Sequence, residues 1–356
     1  MKEIICDISA FRLYRVPPQI LMQCPPFPSR DEDRNRHFTN RHILTKYALG
    51  VPLHVGARAA TQRTGASSLS WHVIPEGIPP GHIYDTQLGV CVTSPELTLF
   101  QLSQRLPEPH AIMAMYEMCG TYAVFHPTEE LDALTRNNLL PPGFGWKRVA
   151  DAQGRPSNLW QRDPLTTLAR LEKFAQQIEG TRGQGKFSRA IQYVSGITAS
   201  PFETQTSMLF ALPRHMGGEG FPAFSNNEKI SLTKEARLLT GKSNCYADIV
   251  FDTSPGKTLI VECQGKLVHN TISAAVLDSD RTTALQQMGF DVLLLTYSQI
   301  AHTENFDIIR RIIAERIGMK YRDKTSRQLQ REKDLRHCIF LDWGELRESG
   351  FSRHGR

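Results

Sequence analysis

No run of roughly 18–20 apolar residues occurs in this 356-residue chain, so a membrane-spanning helix is not expected. No CxxC pair occurs either. The seven cysteines (6, 24, 91, 119, 245, 263, 338) are odd in number and scattered, which excludes a zinc ribbon and argues against a disulfide framework. The opening MKEIICDISAFRLYRVPP puts acids and arginines where an export signal needs an apolar stretch, so a cytoplasmic protein is expected. No internal repeat is visible, which excludes solenoids and propellers. What is present is ordinary for a soluble globular chain. With 40% hydrophobic and 22% charged residues it has enough apolar material for two domains.

The net charge of +6 is unevenly distributed. Residues 1–70 carry ten Lys/Arg against five Asp/Glu, and residues 316–356 carry eleven against six. The middle, 71–315, carries 21 against 25. Basic ends around a slightly acidic centre fit a nucleic-acid binder whose active site gathers carboxylates, and they fit ordinary solvated termini equally well.

Pro/Gly punctuation divides the chain. Residues 17–36 read as loop, and short β-like runs (VPLHVGA, LSWHVI, GVCVT) follow between 51 and 93. Ser94-Pro95-Glu96 opens a helix that Pro107 stops, and further helices are expected over 111–120, from Thr128, from Asp163-Pro164 and over 187–194. From Ser200 the pattern sharpens into helix, strands 229–233, 246–252 and 259–264, a helix 272–288, a buried strand 291–296 and an amphipathic helix from Thr303. This predicts an α/β protein with four parts. An α+β recognition or partner domain spans 1–125, a helical connector 126–198, a mixed sheet flanked by helices 199–320, and a basic tail 321–356, solvated or loose.

Three carboxylates stand out. Asp248 and Glu262 lie in successive strands, where Asp and Glu are depleted. If Asp252 pairs with Thr258 across the turn, Asp248 falls opposite Glu262, with Cβ atoms about 4.5–5.5 Å apart. Two ionised carboxylates there repel, and a hard divalent cation removes the repulsion. Glu203 completes Ser200-x-x-Glu203, a capping box, so it reads as a helix cap, a site residue or both. His54, His72 and His82 with Cys91 match no common metal-site spacing, and no metal site is read there.

The series Glu203, Asp248 and Glu262-Cys263-Gln264 resembles the PD-(D/E)XK, restriction-endonuclease-like nuclease superfamily. The nearest part is similar to the branch related to very-short-patch repair endonucleases. In that branch an E-x-D-G is followed by a His, then by a D-x-x-R-x-x-x-L-x-x-x-G helix. Here these positions read Glu262 to Gly265, His269, then Asp278, Arg281, Leu285 and Gly289 before Val292–Leu295. The resemblance covers about 199–300 and implies a restriction-endonuclease-like mixed sheet. It implies Mg²⁺ (or Mn²⁺) held by Asp248, Glu262 and the Cys263 backbone, with Glu203 orienting water or completing the shell. His269 is implied as base or phosphate contact, and Arg281, with Lys266, as nucleic-acid contact. Two features depart from the pattern: Gln264 stands where Lys or Asp is usual, and three residues rather than two separate Gly265 from His269.

Each of these residues also has a plain structural reading. Arg281 can ion-pair with Asp278 one helical turn away, Gln264 can hydrogen-bond a carboxylate, and Cys263 reads as a small core residue. The first half resembles the C-terminal part of AbiEi-type antitoxins through Val51–His54, Trp71-His72-Val73 and Gly89–Glu96 into Leu97–Leu102. It departs at Phe100-Gln101, where that family carries an Asp. The expected function is metal-dependent DNA endonuclease activity in phage defence or DNA repair. The alternative is an inactive nuclease-like module that binds DNA or protein as an antitoxin or regulator. DNA is the expected partner, a protein partner through the first half is open, and no membrane is involved.

Overall fold

A computed structural model describes residues 2–28, 42–58, 67–136, 145–151, 153–254, 257–265 and 272–341. Its centre of organisation in the first half is a two-residue strand, β1 (Ile4–Ile5), too short to show any periodicity of its own. Both residues are buried because neighbours flank them on either side. β1 pairs antiparallel with β2 (Leu53–Ala57) and parallel with β5 (Cys91–Thr93). With β3 (Leu69–Val73) and β4 (Ile83–Asp85) it makes a five-stranded mixed sheet in the order β3-β2-β1-β5-β4. Gly56 permits this pairing: a Cβ there would lie 3.3 Å from Ile4 Cβ and 2.8 Å from Ile74 Cδ1.

The helix Asp7–Arg15 follows β1 directly and is buried along most of its length. Helix Pro95–Arg105 is capped as its sequence requires, with Ser94 Oγ accepting from Leu97 N–H. Helix Glu108–Cys119 starts three residues before the expected position and is almost wholly buried, so it forms the spine of the molecule. Beside it lies an antiparallel sheet of β6 (Tyr122–Val124), β7 (Lys147–Ala150) and β8 (Pro156–Gln161), ordered β6-β8-β7. The stretch 126–198, read from the sequence as helical, therefore also contains strands.

The second half holds the sheet that positions the candidate site. β9 (Ser225–Ser231), β10 (Asn244–Ser254), β11 (Lys257–Gln264) and β12 (Asp291–Thr296) form a sheet ordered β12-β11-β10-β9. β9, β10 and β11 are antiparallel neighbours, and β11 and β12 run parallel because the helix Ile272–Gln287 crosses between them. Helix Pro201–Ala211 packs on one face, and Phe210, Phe221, Phe224, Phe251 and Phe306 form an aromatic cluster beneath it. A short helix, Lys234–Thr240, capped by Thr233, joins β9 to β10 and was not expected. The architecture is mixed α/β. Among the described residues no helix is long and apolar enough to cross a membrane.

The two halves share one apolar core, which runs from Ile4 and Phe11 through Tyr116, Phe174 and Phe210 to Phe306 and Ile339. The basic tail, expected to be solvated or loose, takes part in it as far as it is described. Helix Ser326–Ile339 buries Leu335 and Ile339. His110 Nε2 lies 3.1 Å from Cys338 O, and Gln205 Nε2 donates to Ile339 O at 2.8 Å. Part of its charge is buried as well: Glu332 and Arg336 lie inside, while Arg327, Arg331, Lys333 and Asp334 are exposed. Lys324 Nζ bridges Glu219 (2.7 Å) and Glu332 (2.8 Å), while Arg310 and Arg336 meet Glu332 at 2.8 and 2.9 Å. The basic composition hid a packing helix, because two of the tail's cations, Lys324 and Arg336, have buried acidic partners.

Candidate active site

The strand register was the critical sequence inference, and the structure has it. Asp252 pairs with Thr258 and Ile249 with Val261, which puts Asp248 across from Glu262. The two carboxyl groups are close enough to share a hydrogen bond. Asp248 Oδ2 also accepts the Cys263 N–H at 2.7 Å, which ties it to the next strand.

Glu203 joins them from the first turn of helix Pro201–Ala211. Ser200 Oγ accepts from Glu203 N–H at 3.2 Å and donates to Glu203 Oε1 at 2.8 Å, and Glu203 Oε2 accepts from Ala199 N–H at 2.7 Å. Ser200 is the cap; Glu203 braces it through Ser200 Oγ and the Ala199 N–H, not through the Ser200 N–H of a capping box, and lines the same cavity as Asp248 and Glu262. Ser200→Ala is expected to cost about 1 kcal/mol of stability and to loosen Glu203, read as a lower unfolding midpoint with the fold retained.

Burial, then the charge of Asp248, push Glu203 up to about 8. The same two causes push Glu262 up to about 8, against the lowering effect of Arg281. Arg281 Nη2 lies 2.9 and 2.8 Å from the two Glu262 oxygens and also donates to Tyr246 O. Arg281 therefore faces the carboxyls, with Glu262 as its ion-pair partner. The Cys263 thiol packs half-buried against the core beside Thr206, and burial pushes it well up, while its backbone N–H bonds Asp248. Gln264 ends β11, half-buried, at the mouth of the cavity. Lys266 and His269 lie outside the described residues, as does the side chain of Asp278.

These groups line a cavity of about 780 Å³. Glu203, Asp248, Glu262, Gln264 and Arg281 form one side, and Phe202, Leu285, Leu294 and Tyr297 give it apolar wall. The opposite side was not read from the sequence. It comes from the β6-β8-β7 sheet and contributes His126, Asp151, Ser157, Asn158 and Gln161, with Asn158 Nδ2 3.2 Å from His126 Nδ1. Polar residues on short strands carry no distinctive spacing, so only the fold brings them to the carboxylates.

Four carboxyls, Glu203, Asp248, Glu262 and Asp151, line the cavity with a single guanidinium among the described lining residues. Burial and the charge of Asp248 raise two of them, Glu203 and Glu262, which favours their protonated forms and is relieved when a cation binds. The donors are all hard oxygens, which suits Mg²⁺ or Mn²⁺ better than a softer metal. The fit has two competing elements: Arg281 already occupies both oxygens of Glu262, and Glu203, Asp248 and Glu262 do not all present an oxygen within 4.8 Å of one another, so the side chains must close up around an ion.

The chain matches no protein-family model, and comparison with curated proteins and with solved structures gives no match.

Proposed function

We propose that this protein is a metal-dependent endonuclease that hydrolyses phosphodiester bonds in DNA. The carrying observation is the apposition of Asp248 and Glu262 on adjacent antiparallel strands with Glu203 at a helix N-terminus beside them. Glu203, Asp248 and Glu262 would hold Mg²⁺ or Mn²⁺, which when bound supplies charge stabilisation at the phosphate and lowers the pKa of water. Asp248 is oriented for this by the Cys263 N–H, and Glu203 by Ser200 and Ala199. Arg281 balances Glu262 and stands where it can contact a phosphate oxygen. Gln264 offers an amide N–H to the same oxygen but neither charge nor proton. The restriction-endonuclease-like fold and a role in phage defence or DNA repair belong to this reading.

A second reading is favoured by a specific pair of features: Gln264 in the position of the usual lysine, and the Glu262–Arg281 clamp. It is a nuclease-like module that binds DNA or a protein as an antitoxin or regulator and does not cut. Plasmid nicking by the full chain in Mg²⁺ or Mn²⁺ separates the two. Cleavage by wild type that disappears in Glu262→Gln supports the enzyme, and absence of cleavage in both metals supports the binding module. Gln264→Lys is expected to raise the nicking rate by about tenfold or more, within the range that a charged group at the reacting phosphate supplies. An unchanged rate would mean that Gln264 does not limit the chemistry.

A further inference from the structure

A second cluster of ligand-type side chains lies in the five-stranded sheet, on residues that do not line the carboxylate cavity. Asp7, His54 and His72 each present a donor atom within 4.8 Å of the others. The sequence reading grouped His54 and His72 with His82 and Cys91. The structure separates that set: His82 lies against Ser94 and Glu96, and Asp7 takes its place. β2 and β3 run parallel with His54 beside Ser70 and Gly56 beside His72, so the two imidazoles project from one face, two residues apart in register. The rings stack at 4.9 Å with 14° between their planes. His54 Nδ1 is 2.9 Å from His72 Nε2 and 3.7 Å from Asp7 Oδ1, and His72 Nδ1 is 3.8 Å from Asp7 Oδ2.

Asp7 is held in place firmly. It has a left-handed backbone with φ of 53°, unusual for a residue other than glycine, and is 3% exposed. Its N–H donates to Gln101 Oε1 at 3.0 Å, and its Oδ1 accepts the Ile8 N–H at 2.7 Å. Backbone strain of this kind is most often kept where it positions a functional group. A zinc-class ion sits about 2.0–2.2 Å from each nitrogen or oxygen, so its donors lie on the order of 3.3 Å apart. With one donor atom taken from each residue, all three lie within 4.8 Å of one another, a spread that small side-chain rotations bring to that value. Two imidazoles and a carboxylate are a donor set suited to late first-row divalent metals, unlike the all-oxygen set of the cavity.

Arg105 is the complement. Its Nη1 lies 3.5 Å from Asp7 Oδ2 and 3.0 Å from each ring nitrogen of His72, on a side chain that is 46% exposed. The guanidinium thus stands where a cation would balance Asp7, and it is exposed enough to turn outward. We propose that Asp7, His54 and His72 form a binding site for a zinc-class divalent cation, for which the Arg105 guanidinium competes.

The test uses the full chain carrying Glu262→Gln, which weakens cation binding at the cavity, stripped with a chelator and titrated with Zn²⁺ by calorimetry and with Co²⁺ by visible absorption. One equivalent is expected to bind, with Co²⁺ bands characteristic of nitrogen ligation. His54→Ala and Asp7→Asn are each expected to weaken binding at least about tenfold. Arg105→Gln, at a side chain that the fold does not depend on, is expected to tighten it several-fold. Absence of uptake by both the parent and Arg105→Gln, or uptake that persists in both His54→Ala and Asp7→Asn, would overturn the proposal. Neither result bears on nicking at the cavity, so the two sites stand or fall separately.

Discussion

Asp248→Asn is expected to reduce Mg²⁺-dependent nicking by on the order of 10²–10³-fold, the loss typical when one charged contact to a reacting group is removed. The same substitution has a consequence that does not depend on activity. Burial is the first cause that raises Glu203 and Glu262, and the charge of Asp248 is the second for both. Both carboxyls are held near 8 against an ordinary value of 4.5, so the folded chain keeps protons that the unfolded chain releases. Their contribution to stability is complete below about 4.5 and is lost as pH rises towards 8. In metal-free wild type the melting temperature should therefore fall across that interval, and Mg²⁺ should restore it more at pH 8 than at pH 6. In Asp248→Asn the fall should be shallower and the Mg²⁺ effect smaller. Nicking by this variant at the wild-type rate, or an unaltered pH slope without metal, would remove Asp248 from the site.

The part of this site that could be read in advance was the part written in local chemistry. Asp248 and Glu262 sit in strongly apolar strands with Pro255-Gly256 between them in the sequence, so alternation and a short connection together fix their register. Ser200-Pro201 and Glu203 fix the helix start in the same way. What escaped was set by distant neighbours. β1 is a strand only because β2 and β5 accept it, and β7 and β8 are polar runs whose one buried segment, Leu159 and Trp160, is too short to show a period. Asp7 precedes His54 by 47 positions and His72 by 65, so no short spacing joins them.

The arginines of the first half illustrate the same limit. Their number suggested a basic surface for DNA, yet Arg15 is buried in a two-point ion pair with Glu117, and Arg12 donates to Leu49 O. Arg34, Arg36, Arg41 and Arg63 lie outside the described residues. Net charge counts these groups equally, whereas only those that can reach a phosphate contribute to binding. The shared core also makes a chain beginning near Ser195 a poor test of the division between the halves. It would lose helix Glu108–Cys119, against which helix Ser326–Ile339 packs.

That packing is where the largest stability effect is expected. Glu332 is 1% exposed and lies among Lys324, Arg310 and Arg336, whose side chains are 0%, 6% and 8% exposed. Burial alone would raise its carboxyl, but hydrogen bonding and attraction from Lys324 and Arg336 hold it below the ordinary value. Its contribution to stability is therefore present above about 4.5 and is lost as pH falls through the lower value of the folded state. Glu332→Ala leaves Lys324 and Arg310 sharing Glu219, with Asp307 at the edge, and leaves Arg336 with only the Ile300 and Ala301 carbonyls. Breaking a buried pair in this way costs about 3–5 kcal/mol, a large share of the roughly 5–15 kcal/mol that holds a domain together. Removing charge from both sides, as in Lys324→Met with Glu332→Leu, should cost less than Glu332→Ala, since fewer charges remain unpaired. Urea unfolding of the three chains at pH 7 measures this order directly. A single variant no less stable than the double one would mean that the network is solvated and that apolar contacts at Leu335 and Ile339 alone hold the helix in place.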